Sequence, residues 1–295
     1  MNSFSRILVA LDNSPMDQYL IRHARRVADL FEASRVYFVF ILPSLALPKS
    51  AQAAFREQFE PDVPIDEQVR AALEKEILEN WGAERATEWS LDVIEGKPFS
   101  QLLHWLDVKK IELLVVGQKL ASTGSGITAR KLASHARCNV LFVPEMPLND
   151  GMRLLAPVDF SKDSARALKM ALTWKSTHPA AGIVALHVTD LLATGYYLNR
   201  QEFENFNRFL SETAQESFRK FLEEHQLPAE SMEIVILRND DGSISDRINA
   251  YALESGFDWI LVGAQGHGAI ERFFFGSVTE KLVSKPLPAP TLVVR

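Results

Sequence analysis

The sequence predicts an α/β protein of two tandem domains, each a five-stranded, mainly parallel sheet flanked by helices. Three observations predict it. The chain carries the same landmarks twice, about 147 residues apart. Short runs rich in Val, Ile and Leu alternate with longer amphipathic stretches. A turn-prone stretch separates the two copies. The first observation matters most, because an unrecognised repeat would mis-assign the whole fold.

Arg6-Ile-Leu-Val-Ala-Leu-Asp12-Asn-Ser14 recurs as Arg153-Leu-Leu-Ala-Pro-Val-Asp159-Phe-Ser161: an apolar run ending in Asp, with Ser two residues on. Ile111-Glu-Leu-Leu-Val-Val-Gly117 recurs as Phe257-Asp-Trp-Ile-Leu-Val-Gly263, and Lys131-Leu-Ala-Ser134 as Lys281-Leu-Val-Ser284. Such a period is domain duplication, giving domains 1–146 and 147–295. The boundary falls in Pro144-Glu-Met-Pro-Leu-Asn-Asp-Gly151, whose Pro, Asn, Asp and Gly suit neither a helix nor a central strand.

In the second half the expected strands are Met152–Asp159, Ile183–Thr189, Met232–Arg238, Trp259–Gly263 and Thr291–Arg295. Helical periodicity fills Lys162–Lys175, Gln201–Glu224, Ser243–Glu254 and Ser277–Lys285. The strands are short, continuous and rich in Val, Ile and Leu, as strands buried on both faces read. Alternation with helices implies parallel pairing. The first half repeats the order with Arg6–Asp12, Val36–Leu42, Trp89–Ile94, Glu112–Gly117 and Val140–Pro144. Ligands of such sheets sit beyond the carboxyl ends of the strands, where Asp159 and Gly263 fall.

Composition bounds the function. The 295 residues are 47% hydrophobic and 24% charged, a globular balance. With 32 basic and 38 acidic residues the net charge is −6, against a protein that grips nucleic acid chiefly through phosphates. No apolar stretch approaches the ~20 residues that span a bilayer, and the first residues do not form a secretory signal. The lone cysteine, Cys138, cannot form an internal disulfide and points to a reducing compartment, the cytoplasm. The expected partners therefore include neither nucleic acid nor membrane.

The fourth strand of the second half leads into Gly263-Ala-Gln-Gly266-His-Gly268, and Gly276-Ser277-Val278-Thr279-Glu280 opens a helix. Glycine admits close backbone approach and positive φ. A helix N-terminus offers free N–H groups and a favourable dipole to anions, and Ser277 and Thr279 add hydroxyls. The set suits a polyphosphate, although a plain loop before an N-capped helix would carry the same glycines. Asp159 could likewise be a cap for the helix beginning near Lys162, and Val188 could be core.

Gly-x-x-Gly, nine residues, then Gly-Ser resembles the ATP-binding signature of the universal stress protein family, matched here by Gly263, Gly266, Gly276 and Ser277. Val278-Thr279-Glu280, the strand ending in Asp159 and the closing Pro-Thr-Leu-Val-Val-Arg295 also resemble that family, once per half over nearly the whole chain. The resemblance implies a Rossmann-like, adenine nucleotide alpha hydrolase-like fold. It implies that Asp159 and Val188 line the adenine and ribose site. The glycines with Ser277, Val278 and Thr279 would hold ribose and phosphates, and a divalent ion, usually magnesium, would accompany the ATP. Relatives with a single domain dimerise through the last strand. The two halves are thus expected to form a pseudo-dimer through Val140–Pro144 and Thr291–Val294, with further homodimerisation open.

The first half departs from the signature. In Gly117-Gln-Lys-Leu120-Ala-Ser-Thr-Gly124-Ser-Gly126-Ile127, Leu120 replaces the second glycine and Ile127 the serine. Gly117 and Gly126 lie 9 positions apart, against 13 between Gly263 and Gly276. This half is not expected to bind ATP in the family manner. Catalytic motifs are missing too: no HExxH, G-x-S-x-G or Walker A sequence occurs. The function expected is ATP binding in the second half, a nucleotide-responsive stress role and little or no hydrolysis. A nucleotide-independent scaffold is the competing reading.

Overall fold

A computed structural model describes residues 4–42, 64–82, 86–118, 127–190, 200–239, 242–266 and 275–295. The chain divides into two compact units, one holding residues 3–138 and 145–148, the other 139–144 and 149–295.

In the first unit β1 (Arg6–Leu11) is followed by α1 (Asp17–Leu30), β2 (Arg35–Leu42), α2 (Ile65–Trp81), β3 (Glu88–Glu95), α3 (Pro98–Val108), β4 (Leu113–Gln118) and α4 (Ile127–His135). β1 lies between β2 and β4, and β3 flanks β2, all in parallel register. The helix α1 explains itself: Leu20, Ala24, Val27 and Ala28 recur at helical spacing and are all buried. Pro98 at the first position of α3 fits a site where its missing N–H costs nothing.

The second unit holds β5 (Asn139–Pro144), β6 (Arg153–Pro157), α5 (Lys162–Thr177), β7 (Gly182–Asp190), α6 (Arg200–His225), β8 (Glu233–Asn239), α7 (Ile244–Ser255), β9 (Trp259–Gly263), α8 (Ser277–Ser284) and β10 (Thr291–Val294). β6 pairs with β7 and β9, β7 with β8, and β9 with β10, all parallel. β5 runs antiparallel to β10, with Thr291 opposite Phe142 and Val293 opposite Val140. The strand pairing expected between 140–144 and 291–294 is present, and it counts β5 with the second unit.

Every strand and helix given bounds from the sequence sits within two residues of the structural bounds. One expectation needs correction. Burial on both faces holds for β9 and β10 but not for β3 or β8, whose residues are mostly half-exposed. Both are edge strands, covered on fewer sides than strands within the sheet. A packed pair of indoles, Trp174 on α5 and Trp259 on β9 with centroids 4.9 Å apart, fixes helix to sheet.

Candidate functional site

The carboxyl ends of β6, β7 and β9 bring the predicted residues of the second half to one end of its sheet. Asp159 follows β6 and is exposed. Its Oδ1 accepts hydrogen bonds from the Ser161 backbone N–H at 3.1 Å and from the Ser161 hydroxyl at 2.5 Å. The cap of α5 is Ser161, whose Oγ accepts from the Ser164 N–H. Asp159 is therefore not the helix cap. Between them Phe160 takes φ of 64°, a left-handed conformation rare for a bulky residue. Its ring is held by His187, Phe218 and Phe221, at centroid distances of 4.3, 5.5 and 5.7 Å.

Val188 is buried near the end of β7 and pairs in register with Leu237. Beside it, the His187 Nδ1 meets the Val158 carbonyl at 2.8 Å. Burial holds the His187 imidazole below its usual pKa range, against the pull of that carbonyl and of Asp159.

The glycines are explained by what lies against them. A Cβ on Gly263 would sit 2.6 Å from the Asp163 carbonyl carbon and 2.8 Å from the Ser164 nitrogen, so α5 packs directly on the end of β9. A Cβ on Gly266 would overlap the Asp159 Oδ2. A Cβ on Gly276 would sit 3.1 Å from the Gly266 nitrogen, and the Gly276 N–H donates to the Ala264 carbonyl at 2.8 Å. None of the three takes positive φ. Close approach, and not backbone conformation, distinguishes these positions: backbone faces Gly263 and Gly276, while Gly266 faces the tip of the Asp159 side chain.

Gly276 caps α8 without a side-chain hydrogen bond, and Ser277 is exposed on the first turn. Val278 is half-buried. Thr279 differs from the expectation of a free hydroxyl donor: it is buried and donates to the Gly263 carbonyl at 2.8 Å. That bond ties α8 to the end of β9. Within the glycine loop His267 lies outside the described residues, as do Leu120 and Gly126 of the first half.

Ser161, until now a landmark of the repeat, and Asp163, not singled out from the sequence, join the site. The Asp163 Oδ2 accepts from the Gln265 N–H at 3.1 Å, and the Ser161 hydroxyl reaches the Gln265 carbonyl at 3.3 Å. Ser-Lys-Asp at a helix start after a strand was the signal for them, since Ser caps and Asp favours a first turn. The first half copies part of this arrangement. Ser14 donates to the Asp12 Oδ1 at 2.5 Å, and Asn13 takes φ of 56°. There, however, a fully buried Asp17 accepts from the backbone N–H groups of Asp12, Asn13 and Ser14 at 3.1, 2.8 and 3.4 Å.

Two α/β units of mainly parallel strands, with Asp12 just after β1 and Asp159 just after β6, define a duplicated Rossmann-like protein. The family model described as Universal stress protein family matches residues 3–144 and 152–295, and the chain belongs to that family. A universal stress protein of Methanocaldococcus jannaschii is 26% identical over 151 residues, covering 48% of this chain and 83% of that one. The crystal structure of a universal stress protein from Archaeoglobus fulgidus covers 100% of this chain and 97% of its own, with TM-score 0.64 and 15% identity. A structure titled as a putative universal stress protein from Pseudomonas aeruginosa matches 99% of this chain and 94% of its own, with TM-score 0.64 and 13% identity. At those identities the two structures support the fold alone. No helix among the described residues is long and apolar enough to cross a membrane.

Proposed function

We propose that the second half binds ATP, with magnesium carried on the triphosphate, and that the protein serves the stress response as a nucleotide-responsive factor in the cytoplasm. The observation that carries this reading is the start of α8. Its N-terminus has no side-chain cap, its first residue Ser277 is exposed, and Gly276 places it against Ala264 and Gly266. An uncapped helix N-terminus beside a glycine loop is suited to phosphate. The exposed Asp159 carboxylate can accept from ribose hydroxyls, and Val188 can contribute an apolar surface to the adenine site. Thr279 supports the loop from beneath through Gly263. Gly263, Gly266 and Gly276 keep the three backbone segments close, and Val278 continues the first turn of α8. Among the described residues no group of three His, Cys, Asp or Glu side chains could form an ion cage. Magnesium would arrive with the triphosphate.

Turnover is expected to be slow. Phosphoryl transfer needs a positioned nucleophile and preorganised charge. Of the two candidate bases, Asp159 belongs to the nucleoside end of the proposed site, and Glu280 is exposed, one turn into α8. The test is mass spectrometry of ligand released from freshly purified, denatured protein, with calorimetry of ATP–magnesium binding. About one ATP per chain supports the reading. A protein that neither carries nucleotide nor takes up added ATP supports the scaffold reading instead. Turnover near a typical enzyme's ~10 s⁻¹, lost in Glu280→Gln with binding preserved, would make the protein an ATPase.

A further inference from the structure

We propose that Asp163 is a positioning residue of the second half, clasping Gln265 so that the Gly263–Gly266 loop is held ready for the nucleotide; this rests on the ATP reading above. The clasp works from the first turn of α5. Asp163 takes the Gln265 N–H on Oδ2, while the Ser161 hydroxyl points between Asp159 and the Gln265 carbonyl. The single Ser161 hydrogen goes chiefly to Asp159, the shorter contact by 2.5 against 3.3 Å. Asp163 therefore restrains the loop at the Gln265 N–H, where the Ser161 hydrogen is engaged elsewhere. Its other oxygen is fixed by Arg166, with Nη1 to Oδ1 at 2.6 Å. That pair holds the carboxylate rotamer and offsets a negative charge beside a site meant for an anion.

Gly263 fits the same account. Its missing Cβ lets the chain lie against the Asp163 backbone, and two residues later the loop meets the Asp163 carboxylate. The duplication supplies a control inside the same chain. At the repeat position of Asp163 the first half has Met16, which is buried and whose Cγ would lie 2.8 Å from a Cβ on Gly117. A methionine fills that space but offers no carboxylate to a backbone N–H. The half whose glycine signature is broken has methionine where the other half has Asp163.

The experiment uses the full chain with Asp163→Ala, Asp163→Met and Asp163→Asn. ATP–magnesium affinity is measured by calorimetry, and amide exchange of the segment around Gln265 is measured without nucleotide. Asp163→Ala and Asp163→Met are expected to bind roughly tenfold more weakly, the scale of one lost charge-assisted hydrogen bond. Exchange near Gln265 is expected to accelerate while β9 and α5 keep their protection. Asp163→Asn keeps one oxygen for the Gln265 N–H but turns an amide NH2 toward Arg166, so it is expected to bind more weakly than wild type and more tightly than Asp163→Ala. The methionine variant, which keeps bulk, carries the test should the alanine variant not fold. Wild-type binding that survives unchanged in Asp163→Ala and Asp163→Met overturns the positioning role alone, as does an asparagine variant as weak as alanine. Failure of the wild type to bind overturns the ATP reading and this inference together.

Discussion

Asp159 and Gly266, 107 positions apart in the chain, occupy one space: a Cβ on residue 266 would overlap the Asp159 Oδ2. The glycine of the signature is thus a condition for the aspartate to stand where it does. The consequence is a coupled pair. Gly266→Ala is expected to displace the carboxylate and lower ATP affinity on its own. In an Asp159→Ala background the same change should cost much less, because nothing remains to be displaced. Calorimetry on the four proteins of the cycle measures this directly. Equal losses in both backgrounds would mean that the two residues act independently.

Gly276 has a different neighbour and a different expectation. A side chain there meets backbone, the Gly266 nitrogen and the Gln265 Cα at 3.1 and 3.4 Å, and backbone does not swing aside as a flexible side chain would. Gly276→Val should abolish ATP binding by separating the loop from the start of α8. Gly126→Val in the first half should leave about one ATP per chain. Binding isotherms in which both variants, or neither, lose ATP would remove the asymmetry between the halves.

Thr279 tests whether a signature residue acts by support. Its buried hydroxyl donates to the Gly263 carbonyl. Thr279→Val keeps the shape and strands a buried carbonyl, which should cost about 1–3 kcal/mol in chemical denaturation. Thr279→Ser keeps the hydroxyl and should recover most of the polar part. A valine variant as stable as wild type would mean the bond contributes nothing net.

The strands were legible because short apolar runs rich in Val and Ile, set between turn-prone segments, are too brief for helices and fold as buried strands. Their place in the sheet was read too uniformly: Trp89-Ser-Leu-Asp-Val-Ile94 alternates polar and apolar residues as a half-buried strand does, and β3 is an edge strand with half-exposed residues. The same limit applies at the site. The glycines could be read as a set, but their reasons are contacts across long separations: Asp163 against Gly263, Asp159 against Gly266. Sequence suggested positive φ and room for a ligand, where the structure has ordinary φ and close protein neighbours. Asp17 was illegible for another reason. An acidic residue at a helix start normally faces solvent and the helix dipole, whereas this one turns inward onto the loop before it.

That inward turn gives a pH dependence. The Asp17 carboxyl is raised from 3.8 to about 7, chiefly by burial, with Asp12 and Glu76 adding repulsion against the pull of the loop N–H groups. Because the folded value exceeds the unfolded one, the folded protein holds the proton more tightly. Its stabilising contribution is full below about pH 4 and is lost as pH rises through about 7. The slope it adds approaches ~1.4 kcal/mol per pH unit inside that window and vanishes above it. Asp17→Ser, which copies Ser164 of the second half, should remove this component. Denaturation curves at pH 5 and 7 for the two proteins check it. Identical pH dependence would show that Asp17 does not titrate there.

The last prediction concerns the residue after each strand-ending aspartate. Phe160 and Asn13 both take left-handed φ, at 64° and 56°. Asparagine visits that region readily, but phenylalanine does not, and the difference has to be supplied by its surroundings. The ring contacts with His187, Phe218 and Phe221 are the visible source. Truncating Phe160 removes those contacts whichever small residue replaces it, so comparing two truncations isolates the backbone. Phe160→Gly should be more stable than Phe160→Ala by about 1 kcal/mol, since only glycine adopts left-handed φ freely. The order is the reverse of that expected inside a helix, where alanine wins by a similar amount. Asn13→Gly and Asn13→Ala should fall in the same order in the first half. Phe160→Ala should lose about 2 kcal/mol against wild type and Phe160→Gly correspondingly less, both below the cost of a fully buried ring, because Phe160 is half-buried. Urea titrations of the five proteins give all the differences needed. An alanine variant at least as stable as its glycine counterpart at either position would show that the left-handed turn is not under strain there.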